Sequence, residues 1–193
     1  YSFEPVSRVA QRFEEQTRVN KKFNIVIEQK VVGDTNGHVN FFVPKGNQMS
    51  LASSTKKGWV SNVDEVSVPS TTLDSYKIEQ KLNKIDLIKM DCEFHELEVL
   101  KGMKKILISD KPIIMIEILF PEAKGVQGYF ENTQHIEIEK IMKENDYYFY
   151  LITKEALFRV DNLEYSELDR NYIFSSKKSQ NRYVPYSNIS SII

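Results

Sequence analysis

The chain has 193 residues, 41% of them apolar, which suits one large domain with a buried core. With 26 basic and 27 acidic residues the net charge is −1; charged residues at 27% exclude wholesale disorder, and this balance removes the electrostatic case for a nucleic-acid binder. The single Cys92 excludes an internal disulfide framework and fits a reducing, cytoplasmic setting, and the longest apolar run, "PIIMIEILF", is broken by Glu117 and too short to cross a bilayer.

The opening "YSFEPVSRVAQRF" predicts a short strand and then a helix, with Pro5 at the first helical position and Val9 and Phe13 on one face. "FNIVIEQKVVG" reads as one β-branched strand. Asn36-Gly37 in "DTNG" then predicts a tight hairpin, with "HVNFFVP" as the returning strand. Residues 45–57 read as a polar loop, in which Ser50, Ser53 and Ser54 are candidate contacts for an acceptor molecule. "DEVSVPS" is a further short strand, and "STTLDSYKIEQKLN" a helix opened by hydroxyl residues.

The pattern then sharpens. "KIDLIKM" reads as a buried strand, "ELEVLKGMKKILISD" as one helix with Leu97, Leu100, Met103 and Leu107 on its apolar face, and "KPIIMIEI" as a second buried strand. A strand, helix and strand of this size make a βαβ crossover, which requires parallel strands. After a loop holding Gly125 and Gly128 comes the helix "HIEIEKIMKEN", with Ile138, Ile141 and Met142 inward, and then the strands "DYYFYLIT" and "RNYIFSS". Residues 1–176 are expected to form one domain and 177–193 a polar tail. Asn188-Ile189-Ser190 matches a glycosylation acceptor, but no signal-peptide pattern accompanies it.

Alternating strands and helices place the chain among open, twisted α/β sheets, whose ligands bind at the carboxyl ends of the strands. Those ends carry Glu4, Gly33 with Asp34, Asp91 with Glu93, and Glu117. Cys92-x-x-His95 has a zinc-like spacing but lacks the further ligands that a structural site needs, so no metal site is assigned. A hard cation on Asp91 and Glu93 is the chemically better alternative. Glu93 and Glu96 suit a helix entrance, where negative charge is stabilised. Asp91 does not: it follows a strand with apolar neighbours, and Lys89 lies two residues earlier on the same face, so the two are expected to pair. His95, in the first helical turn, is expected to face solvent and ranks after Asp91 as a base. Glu4 suits both a helix cap before Pro5 and an acceptor for ribose hydroxyls.

"YSFEP" leading to a helix, "VVGDTNG", "TTLDSY", "IDLIKMDCEFHELEVLKG" and "KPIIMIEI" together resemble the FkbM-type family of S-adenosylmethionine-dependent methyltransferases, in order and spacing, from Tyr1 to about Ser176. The most specific part is K-x-D-x-E-x-x-E-x-x-V-L-K-G, from Lys89 to Gly102. The resemblance implies a Rossmann-like methyltransferase fold, a three-layer sandwich around a mostly parallel sheet with an antiparallel end and a β-hairpin insertion. It also implies S-adenosyl-L-methionine as cofactor, and methyl transfer to a hydroxyl of a sugar, glycan or secondary metabolite. Carried over, Glu4 resembles the ribose-binding acid, Val32 and Gly33 border the adenine, and Asp91 stands near the reacting centre, with Lys89 and Glu93 orienting it and Glu117 at the adjacent strand end.

Two departures stand out. Phe94 occupies a position where the family usually has Gly. The family's first strand and Gly-rich loop would precede Tyr1, so the chain reads as an N-terminally truncated piece of something longer. Its strands "YSF" and "IDLIKM" are each expected to lack a neighbour, and the segment alone to bind cofactor poorly. The rival readings are a non-catalytic binding module that retains the fold, and another nucleotide-using Rossmann enzyme such as a dehydrogenase.

Overall fold

The computed structural model describes residues 1–19, 24–45, 62–120, 134–164 and 169–178. The expected acceptor loop with Ser50, Ser53 and Ser54, the loop with Gly125 and Gly128, and the tail from 179 onward lie outside them. The chain divides into two units: Tyr1–Lys81 with Glu93–Met103, and Leu82–Cys92 with Lys104–Ile193. The class is α/β and Rossmann-like in its alternation of strand and helix, with the strands distributed over three sheets.

In the first unit, β1 (Ser2–Phe3) pairs in parallel with β2 (Ile27–Glu28). Helix α1 (Ser7–Val19) follows β1. Pro5 precedes this helix rather than opening it: the Val6 carbonyl accepts from the Ala10 and Val9 amides, which makes Val6 the cap. The expected single strand "FNIVIEQKVV" is two strands, because Gln29 and Lys30 interrupt it; β3 (Val31–Val32) joins another sheet. There, β4 (Gly37–Pro44) runs antiparallel to β5 (Val63–Thr71), while β3 lies parallel to β5 on its other side. The predicted tight hairpin at Asn36-Gly37 therefore does not form, since its two flanking strands are not neighbours. The Asn36 side chain is used instead: its oxygen accepts from the Thr72 amide at 3.0 Å, and its amide donates to Ser75 Oγ at 3.0 Å. Such side-chain bonds replace the turn that the dipeptide favours. Val6 and Val9 pack with Val31, Phe41 and Val68 in the core of this sheet.

Helix α2 (Leu73–Glu79) starts as the hydroxyl residues predicted, with Thr72 Oγ1 accepting from the Ser75 amide at 3.1 Å. The buried Tyr76 donates its hydroxyl to Glu28 at 2.9 Å, so the acid ending β2 serves the fold. The first unit also holds α3 (Glu96–Lys101).

In the second unit the sheet order is β6 (Leu87–Met90), β7 (Ile113–Glu117), β10 (Asn171–Ser176), β8 (Tyr147–Ile152) and β9 (Leu157–Val160). The β6–β7 pair is parallel, as the crossover required, and the other three pairs are antiparallel. Strand β6 is less buried than expected, with only Met90 inside and Leu87 65% exposed. Among the described residues β1 has only β2 as a neighbour and β6 only β7, which leaves each with one open edge. The expected long helix is broken into α3 and α4 (Lys104–Ser109) at Gly102-Met103, yet Leu97, Leu100, Met103 and Leu107 are all buried. Helix α5 (Gln134–Glu144) buries Ile138 and Met142, and Phe149 and Phe174 meet at 4.9 Å between ring centres in the core. Asp110, 5% exposed, accepts the Ile85 amide at 2.8 Å and so ties the entry of β6 to the end of α4.

Candidate functional site

Strand register builds the first cluster. Lys89 and Asp91 are two residues apart on β6 and just beyond it, so their side chains leave the same face. Because Met90 is level with Ile116 in the parallel pair, the next residues, Asp91 and Glu117, come level at the strand tips. Lys89 Nζ donates to Asp91 Oδ2 at 2.9 Å, the pairing that the sequence predicts, and the register sets Glu117 beside Asp91 on the adjacent strand. Burial pushes the Asp91 carboxyl up, but the hydrogen bond and charge of Lys89, aided by Glu117, outweigh it and hold the group below the usual carboxylate range. The Lys89 and Asp91 side chains are 56% and 49% exposed, so water screens their attraction.

The second cluster belongs to the first unit and surrounds the end of β3. Val32 is half-buried and Gly33 fully so, and the Gly33 amide donates to the Thr71 carbonyl at 3.0 Å. A Cβ on Gly33 would sit 3.0 Å from His95 Nε2. One on Gly102 would lie 1.9 Å from the Gly33 carbonyl oxygen, closer than any real contact, so residue 102 must be glycine for the two backbones to meet. Here a reading is overturned: His95 does not face solvent from the first helical turn. It precedes α3 as its cap residue with a side chain 16% exposed, and Nδ1 lies 3.4 Å from Glu98 Oε2. Burial lowers the affinity of the imidazole for its proton, against the opposing charges of Glu98 and Asp34.

What turns His95 inward is the backbone before it. Glu93 and Phe94 have φ of 54° and 73°, consecutive residues in the left-handed region. That region costs a non-glycine residue roughly 1–2 kcal/mol. A glycine at 94 would adopt it freely; this chain places a Phe there, 2% exposed, so burial of the ring offsets the strain. Glu93 lies three residues ahead of α3, outside its first turn; the acids in that turn are Glu96 and Glu98. The macrodipole account thus fits Glu96 and Glu98 and not Glu93. Glu96 is 3% exposed, buried beyond what a helix entrance asks.

At the end of β1, Glu4 Oε1 accepts the amide of Val6, the cap residue, at 2.8 Å, so Glu4 braces the entry to α1 but is not itself its cap. Burial raises its carboxyl above the usual range, partly countered by that amide. Among the described residues no three His, Cys, Asp or Glu side chains converge as metal ligands, and Cys92 is a free, half-buried thiol. No helix of the described residues is long and apolar enough to cross a membrane. The sequence reading placed the strand-tip acids but missed the contact of His95 and Gly102 with Gly33. Its one available signal was Gly102, a glycine inside an otherwise continuous helical pattern.

A comparison with curated protein sequences finds no match. Among solved structures, the crystal structure of methyltransferase FkbM from Methylobacillus flagellatus KT is similar at 18% identity and a TM-score of 0.48, over 89% of this chain and 35% of that one. This chain thus spans about a third of that protein's length. The family model described as the methyltransferase FkbM domain matches residues 1–149, a span that takes in Glu4, the Gly33 turn and the whole Lys89 to Gly102 signature, and on that match the chain belongs to the FkbM methyltransferase domain family.

Proposed function

We propose that this chain, residues 1–176 acting as one domain, is part of an S-adenosylmethionine-dependent O-methyltransferase, inactive by itself, whose acceptor is a hydroxyl of a sugar, glycan or small metabolite. The observation that carries the reading is the Lys89–Asp91–Glu117 cluster at the adjacent tips of β6 and β7, where an open α/β sheet binds its ligands. When bound, the cofactor supplies a methyl group already activated on a sulfonium. The residues present fit its adenosyl half. Glu4 uses Oε1 for the chain and can offer Oε2 to a ribose hydroxyl, while Val32 and the side-chain-free Gly33 allow a flat base to approach.

The chain's own work is orientation and proton handling. Asp91, kept ionised by Lys89, accepts a hydrogen bond from the acceptor hydroxyl and fixes its oxygen for attack. As the oxygen is alkylated its proton passes to the Asp91–Glu117 carboxyl pair, and Lys89 limits the charge change. The net charge of −1 and the one free thiol suit a cytoplasmic enzyme that acts on neither nucleic acid nor membrane.

Phe94 favours a second reading, a binding module without catalysis, because it fills the space and strained conformation of a usual glycine. Asp91→Asn in the full-length protein separates the two. Calorimetry with S-adenosylhomocysteine is expected to show affinity unchanged, while release of S-adenosylhomocysteine from the methyl donor falls at least about 100-fold. Unchanged turnover would remove Asp91 from the chemistry. Binding of NAD in place of S-adenosylhomocysteine by the wild type would overturn the methyltransferase reading itself.

A further inference from the structure

Helix α3 meets residue 33 at both of its ends. At the entrance, His95 Nε2 lies 3.0 Å from the place a Cβ on Gly33 would take, with Ser70 Oγ at 3.9 Å from the same point. At the exit, Gly102 brings its backbone against the Gly33 carbonyl, and the Gly102 carbonyl accepts the Asp74 amide at 3.0 Å. The Gly33 amide is bound by the Thr71 carbonyl. Residue 33 is therefore enclosed by β5, by the start of α3 and by its end, all within one unit.

The ring that closes this enclosure is itself held. Glu98 Oε2 is buried and makes no hydrogen bond among the described residues, yet lies 3.4 Å from His95 Nδ1, so its charge orients the imidazole from one turn along the helix. The left-handed backbone at Glu93 and Phe94 swings His95 inward. Strain of that kind persists only where the surroundings over-determine it, and it marks a side chain whose placement matters.

We propose that His95 is a positioning residue for the Val32–Gly33–Asp34 turn, and that Gly33 and His95 form a complementary pair in which the imidazole occupies the space a side chain at 33 would need. This rests on the reading of that turn as the border of the cofactor's adenosyl part. His95 acts through the turn and does not touch the reacting atoms.

A double-mutant cycle on the full-length protein tests it, read by calorimetry with S-adenosylhomocysteine and by KM for the methyl donor against kcat. Gly33→Ala and His95→Ala are each expected to weaken binding about tenfold and to raise KM with kcat within about twofold; the double variant is expected to be no weaker than the worse single, because contacting residues are not additive. His95→Asn, whose carboxamide nitrogen can take the place of Nδ1 beside Glu98, is expected to retain more affinity than His95→Ala. If Gly33→Ala does not fold, the His95→Asn and His95→Ala pair decides: equal affinities at the wild-type value overturn the proposal. Additive losses of about 100-fold in the double variant also overturn it. A wild type that does not bind S-adenosylhomocysteine overturns the methyltransferase reading, and this assignment with it; normal wild-type binding with an additive cycle overturns this assignment alone.

Discussion

Around Gly33 a methyl group would crowd His95 Nε2 at 3.0 Å, whereas at the tips of β6 and β7 the Lys89 and Asp91 side chains keep 56% and 49% of their surface in water. The first region is a joint of backbone against backbone and ring, defined by van der Waals contact. The second is a charged cluster defined by register and screened by solvent. Both derive in part from the Lys89 to Gly102 signature, so a single stretch of sequence serves two kinds of physics. Substitutions in the joint should therefore register in stability as well as in binding, and those in the cluster as lost function at nearly constant stability.

The largest effect is expected from Gly102→Ala. Its Cβ would fall 1.9 Å from the Gly33 carbonyl, and neither partner is a flexible side chain that can yield. A loss of about 3 kcal/mol, at the upper end of the ordinary range for overpacking, should appear as a lower urea midpoint. An unchanged midpoint would mean that the joint is loose, and the contrast with the charged cluster would collapse.

Phe94→Gly comes next and sets two effects against each other. Removing a Phe that is 2% exposed costs about 3–5 kcal/mol, and releasing a residue at φ 73° from the left-handed region returns about 1–2 kcal/mol. A net loss of about 2 kcal/mol is expected in denaturant unfolding. A stabilised variant would show that the ring packs poorly and that backbone strain dominates this turn.

A smaller change belongs to pH. Burial holds the His95 proton affinity in the folded state below its ordinary value of 6.5, against the charges of Glu98 and Asp34. A group depressed in this way contributes stability above its unfolded value, and that stability is lost as pH falls through the folded one. Between pH 7 and 5 the wild type should therefore lose stability more steeply than His95→Asn in parallel denaturation curves. Identical slopes would show the ring to be as well hydrated folded as unfolded.

Least affected should be the stability of Lys89→Met. An exposed ion pair contributes about 0–1 kcal/mol, so a change within about 0.5 kcal/mol is expected. The same variant should raise the apparent pKa on the acidic limb of the rate profile, because Asp91 loses the charge that holds its carboxyl down. A large stability loss would make the pair structural and weaken the division drawn between the two regions.

Much of this was legible in the residues. Hydrophobic pattern placed the βαβ unit around the signature, hydroxyl residues announced α2, and the same-face spacing of Lys89 and Asp91 led to an ion pair that is present at 2.9 Å. Pairing beyond the nearest neighbours was not legible. Val31–Val32 chose β5 over the adjacent β4, because a parallel partner far along the chain was available and the Asn36 side chain found bonds to Thr72 and Ser75. Strand β9 went unread, since Leu157, Phe158 and Arg159 are exposed and carry no clear alternation.

By itself the sequence determined most of the elements and which acids end up at strand tips, because periodicity acts over a few residues and is written into side-chain type. Only the tertiary structure decided what those tips touch. That Met90 lies level with Ile116, and so brings Asp91 to Glu117, follows from the alignment of two strands separated by a helical crossover. That His95 turns inward follows from two left-handed residues, and that Gly102 must lack a side chain follows from a carbonyl nearly seventy positions away. Such contacts depend on the distance between atoms that the chain brings together only when it is folded, and no local pattern encodes them.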